Sequence, residues 1–136
     1  MSYYFSTTLK ASFADALNRA RQVLQDEGFG IIGEIDMQAI LRQKIGVDFR
    51  PYTILGACNP TLAHEALNLE DKVGTMLPCN VVVQETANGV EIAAIDPVAS
   101  MAAIQNDRLK EKAAIVAEKL RRAIENLARV SVAMTG

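Results

Sequence analysis

The sequence predicts an α+β protein, built on a mostly antiparallel five-stranded sheet with helices packed on one face. Three observations predict it. Short aromatic and β-branched runs alternate with apolar residues at helical spacing, in the order strand, helix, strand, small helix, strand, helix, hairpin, long helix. Asn88-Gly89 lies between two strand-like runs and signals a type I′ hairpin, which demands antiparallel pairing. A sustained apolar stripe then marks a long C-terminal helix over about 107–130. At 136 residues the chain buries about two-thirds of its unfolded surface, enough for one domain spanning 1–136.

Each element has a local reason. Tyr3, Tyr4, Phe5, Thr7 and Thr8 favour a first strand. Ser12 is an expected N-cap, with Asp15 three residues on as its capping-box partner. Phe13, Ala16, Leu17, Ala20, Val23 and Leu24 then keep the helical period until Gly28 stops it. In Phe29–Asp36, alternation places Phe29, Ile31 and Ile35 on one face and Ile32 and Glu34 on the other. Asp36 caps a small helix carrying Met37, Ile40, Leu41 and Ile45, which Gly46 ends.

Pro51 precedes a third strand, Tyr52–Cys58. Asn59-Pro60 starts a helix, since Asn caps and proline at the first position has no amide hydrogen to leave unpaired. The hairpin pairs Asn80–Ala87 with Val90–Asp96, and Pro97 ends its ladder. Leu109, Ala113, Val116, Ala117, Leu120, Ile124 and Leu127 form the last stripe, with fraying expected from Ser131. Apolar residues on both sides of strands such as Val81-Val82-Val83 call for a cover on the second face, which a second subunit would supply.

Charge and composition exclude several functions. The net charge of −2 gives no basic excess for sequence-independent binding of nucleic acid. No tryptophan and few aromatics argue against base-stacking platforms. No apolar run approaches the ~18 residues that span a bilayer. Met1-Ser2-Tyr3-Tyr4-Phe5 resembles no secretory signal, so the expected address is the cytoplasm, with both thiols reduced. Asp107–Arg129 carries seven basic and four acidic residues, which fits a solvated helix face or a helix that docks on an acidic partner.

No catalytic constellation is recognisable. There is no phosphate loop, no zinc-binding His-Glu-x-x-His, no Gly-x-Ser-x-Gly elbow and only one histidine. Gly28-Phe29-Gly30 lacks the remaining glycine and the context of a dinucleotide fingerprint. Glu34 and Asp36 share a strand face, yet a solvent-facing strand explains two carboxylates as well as acid–base chemistry does. Met37, Met76 and Met101 fit as core fillers, and His64 lies off its helix's apolar stripe.

What stands out is a near-repeat: Ala57-Cys58-Asn59-Pro60 at a strand end, and Leu77-Pro78-Cys79-Asn80 at a strand start. If these strands are neighbours, the helix between them returns the chain so that both thiols lie at one end of the sheet. Helix N-terminal amides beside Cys58 would favour its thiolate. Such a pair could cycle as a dithiol or hold a soft metal, although two ligands do not complete a tetrahedral site. Free cysteines also pack as small buried hydrophobes, and capping and turn chemistry alone account for the asparagines and prolines.

At these strings the sequence resembles a prokaryotic family, domain of unknown function 302. The resemblance rests on Phe29-Gly30-Ile31-Ile32-Gly33-Glu34-Ile35-Asp36, Pro51-Tyr52-Thr53-Ile54-Leu55-Gly56-Ala57-Cys58-Asn59-Pro60, Leu77-Pro78-Cys79-Asn80-Val81-Val82-Val83 and Ala94-Ile95-Asp96-Pro97, and runs from about Phe5 to Leu127. It implies a curved sheet of TATA-binding-protein-like type, β-α-β(4)-α with inserted small helices, and a compact homodimer of bacterial or archaeal origin. It supplies Cys58, Asn59, Pro60, Pro78, Cys79 and Asn80 as candidate site residues without assigning them roles, and His64 is not among them. It brings no DNA binding with it, since fold is not function.

Three functions remain open on sequence. The first is a homodimeric module that binds an unknown small ligand near the two Cys-Asn strings, with no cofactor. The second is a thiol redox or soft-metal protein using Cys58 and Cys79. The third is an interaction protein using the basic C-terminal helix. An enzyme is the less expected outcome.

Overall fold

The computed structural model describes residues 2–135, and the side chains of residues 2–129. Its elements are β1 (Tyr4–Leu9), α1 (Phe13–Asp26), β2 (Gly30–Asp36), α2 (Met37–Ile45), β3 (Tyr52–Cys58), α3 (Pro60–Leu69), a 3₁₀ turn (Asp71–Met76), β4 (Cys79–Thr86), β5 (Gly89–Ile95), α4 (Pro97–Ser100) and α5 (Asp107–Thr135). The five strands form one sheet in the order β1-β5-β4-β3-β2, antiparallel throughout. The strands β1 and β2 are consecutive in the chain yet occupy opposite edges, so α1 must cross the sheet between them.

The predicted caps at Ser12, Asp36 and Asn59 form, and Asp96 caps α4 as well. Ser12, Asp36, Asn59 and Asp96 each accept a hydrogen bond from a first-turn amide, which satisfies a donor the helix leaves free. The capping box at Ser12 is one-sided. The Asp15 carboxylate lies 2.8 Å from Arg19, one turn on, and Arg19 takes it as an ion-pair partner.

The core lies between one face of the sheet and helices α1 and α5. Leu9, Leu55, Val81, Val83, Val90, Ile92 and Ala94 point from the strands towards Ala16, Ala20, Val23 and Leu24 of α1 and Leu120, Ala123, Ile124 and Leu127 of α5. A second, smaller cluster gathers Ala66, Val73 and Met101 against Leu109 and Ala113, nearer the start of α5. Met101 is buried in it and Met76 packs against it, whereas Met37 is half-buried.

Three expectations need correction. In β2 the register shifts between Ile31 and Gly33, a β-bulge that makes residues on either side of it face oppositely. Ile31 pairs with Ala57 and faces the helices, while Ile35 pairs with Ile54 on the open face. Glu34 pairs with Leu55, so its carboxylate turns to the helix side and meets Arg21 of α1. Glu34 and Asp36 are therefore no catalytic pair, since one holds Arg21 and the other caps α2.

The hairpin turn falls one residue early. Thr86 pairs with Gly89, so Ala87-Asn88 makes the turn, and Thr86 Oγ1 accepts from the Asn88 amide. A type I′ turn at Asn88-Gly89 needs positive φ at both residues, and only Gly89 has it, at 136°. The last helix continues to Thr135 instead of stopping near 130, since no glycine or proline interrupts it and the residues after Arg129 include good helix formers. Gly136 lies outside the described residues.

Gly89 also sits where no side chain fits. A Cβ there would lie 2.4 Å from the Leu9 carbonyl oxygen on β1. Gly89→Ala is therefore expected to cost at least about 2 kcal/mol in urea unfolding. Gly33→Ala, where a Cβ meets nothing within 4 Å, should cost less than half of that. Equal costs would show that neither the backbone conformation nor the approach of β1 constrains the turn.

Candidate functional site

The strand β3 ends at Cys58 and β4 begins at Cys79. The intervening chain runs out through α3 and back through the 3₁₀ turn to the same end of the sheet. Ala57 is directly opposite Cys79, so Cys58 lies diagonally across from it. Pro78, joined to Leu77 by a cis peptide bond, packs over Gly56, where a Cβ would come within 2.8 Å of the proline ring.

Here the main cluster, the second cluster and the start of α3 leave a cleft. Cys58 and Asn59 line it from β3 and the α3 cap, and Pro78 and Cys79 from the start of β4. Ala63 and Ala66 of α3, and Lys112, Ala113 and Val116 of α5, form the facing wall. The cleft holds about 480 Å³ counting its open mouth. Its walls are almost wholly apolar. Its small side chains explain it, because alanine and cysteine occupy positions where leucine or phenylalanine would fill the seam.

Of the six candidate residues, four meet at this cleft: Cys58, Asn59, Pro78 and Cys79. Pro60 is exposed at the first position of α3 and Asn80 is exposed, opposite Gly56 on the far face of the sheet. Asn80 follows from strand geometry: Cys79 faces the helices, so its neighbour faces away. Lys112 was not among the candidates. Its signal was present all the same, because 109, 112, 113 and 116 are spaced i, i+3, i+4, i+7, and Lys112 occupies a position of the apolar stripe.

The electrostatics differ between the polar groups. Asn59 Oδ1 accepts from the Leu62 amide at 3.2 Å, leaving its Nδ2 as a donor. Lys112 Nζ lies 2.9 Å from Glu65 Oε2, although that oxygen is buried and receives no well-directed hydrogen bond. Burial, and secondarily the neighbouring Cys58, push the Cys79 thiol up to about 11. At neutral pH Cys79 is a protonated thiol. Among the described residues no three His, Cys, Asp or Glu side chains converge in a metal-binding group. His64 is exposed and shares its Nε2 with Asn68 at 3.3 Å, away from the cleft.

The basic residues of α5 are partly committed within the fold. Arg121 pairs with Glu118 and Glu125 on its own helix, and Arg122 pairs with Glu27 beyond the end of α1 at 3.0 Å. No described helix is long and apolar enough to cross a membrane.

Fold and cleft together define a small antiparallel α+β protein with an apolar pocket at one end of its sheet. The family pattern described as Domain of unknown function DUF302 matches residues 5–127, and the chain belongs to that family. The crystal structure of an uncharacterized conserved DUF302 protein from Bacillus stearothermophilus superposes with a TM-score of 0.85 at 28% identity. The match covers 92% of this chain and 98% of that one. No curated protein matches the chain.

The buried thiol gives a pH-dependent stability. Unfolded, Cys79 ionises near its ordinary 9.0, and the fold holds the proton up to about 11. This contribution is fully present below pH 9 and is lost as pH rises through 11. Between these limits urea-unfolding stability should fall by roughly 2–3 kcal/mol more in the native protein than in Cys79→Ala. Parallel curves for the two proteins would contradict this.

Proposed function

We propose that the protein is a small-ligand binding module acting as a homodimer, with the ligand held in the cleft between α3, α5 and the ends of β3 and β4. The cleft itself carries the proposal. Stretches distant in sequence, 57–66, 77–79 and 109–116, converge on it, its walls are apolar, and a few polar groups stand at defined points, as in ligand pockets generally. Thiol chemistry has less support, because Cys79 stays protonated at neutral pH.

The dimer rests on the face of the sheet that α1 and α5 leave open. One cross-strand row runs over it through Ile35, Ile54, Val82, Ala93 and Ser6, and four of these five residues are apolar. Ile35 is 45% exposed, and Tyr4 on the same face 42%. Burying this row against its own copy would give the sheet its second layer.

Ligand-detected NMR with a set of small apolar fragments tests the pocket, using Ala113→Trp as a variant whose cleft is filled. Fragments should bind the native protein and fail to bind the variant. No binding, or binding that survives the filling, rejects the proposal. Light scattering should give twice the chain mass for the native protein and the single-chain mass for Val82→Lys; a native monomer removes the dimer.

A further inference from the structure

We propose that the cleft selects an anionic ligand, a short aliphatic carboxylate, with its chain among the alanines and its head between Asn59 Nδ2 and Lys112 Nζ. The inference rests on the cleft being a ligand site. Its basis is the pair of polar side chains on the walls, the Asn59 amide and the Lys112 ammonium, which offer hydrogen-bond donors.

In the cap Asn59 keeps its amide hydrogens for another partner. A backbone N–H donates, so the atom that receives Leu62 N must be Oδ1, and the cap fixes the amide's orientation. Nδ2 has no acceptor among the described residues. Lys112 brings an ammonium to a wall otherwise made of Ala113, Val116 and Leu109. The thiols of Cys58 and Cys79 add at most weak donors.

The lysine's present partner is a poor one. Glu65 Oε2 lies 2.9 Å from Nζ, yet it is buried without a directed hydrogen bond. A buried carboxylate oxygen in that state is costly. A ligand carboxylate entering the slot would take Nζ and Nδ2 together, while Glu65, whose side chain keeps 41% of its exposure, turns to water. The small side chains of Ala63, Ala66 and Ala113 leave the ligand's apolar chain its place.

Isothermal titration with hexanoate, 1-hexanol and hexylamine on the full chain tests this. The native protein should bind hexanoate at least tenfold more tightly than hexanol, and hexylamine least. Asn59→Asp keeps an oxygen for the helix cap and replaces the donor by a negative charge. Lys112→Met keeps the stem and removes the charge. Each should weaken hexanoate at least tenfold and leave hexanol unchanged, with circular dichroism melting as the check on folding. Glu65→Gln frees the ammonium and should tighten hexanoate severalfold; this variant carries the test if the other two fail to fold. Equal binding of hexanoate and hexanol, or a hexanoate affinity that Glu65→Gln leaves unchanged or lowers, overturns the anion preference and leaves the pocket standing. Failure of all three probes to bind the native protein overturns both.

Discussion

Helix α5 has to satisfy two apolar clusters at once. Leu109 and Ala113 belong to one, and Leu120, Ala123, Ile124 and Leu127 to the other. Leu109 and Leu120 are three turns apart, about 16 Å along the axis. The helix is therefore a beam laid across two supports. Between them Lys112, Ala113 and Val116 face Ala57, Cys58 and Cys79 across the cleft. A core with one centre would close over such a gap. Here the helix is held at both ends, and the gap persists as the cleft.

This explains why a lysine can stand in an apolar stripe. Lys112 stands beside Ala113 on the cleft wall, so its long aliphatic stem covers the wall while the ammonium reaches Glu65. The fold and the pocket are thus consequences of one placement. The same architecture recurs in a structure of 28% identity, so most individual side chains can be exchanged without changing the fold.

Much of this was legible in the sequence, for reasons that differ by element. Caps and helical stripes are local: Ser12, Asp36 and Asn59 announce their helices whatever lies beyond. The convergence of Cys58 and Cys79 was legible because a strand–helix–strand return leaves few places for the second strand to begin. The bulge in β2 was not, since it depends on how Gly33 meets Gly56 across the ladder, which no alternation rule contains. The turn at Ala87-Asn88 was missed similarly, because the demand on Gly89 comes from β1, eighty residues earlier in the chain. The place of Asn80 on the far face follows from strand alternation, and that of Lys112 on the cleft wall from helical period.

The bulge at Ile32 has a consequence for the molecule among its neighbours. The strand β2 is an outer strand, and the amides and carbonyls on its outer side have no partner in the sheet. A foreign strand can zip onto such a border only if these groups are evenly spaced. The extra residue breaks the spacing midway along a seven-residue strand. The interrupted spacing makes this border a poor template for a sixth strand.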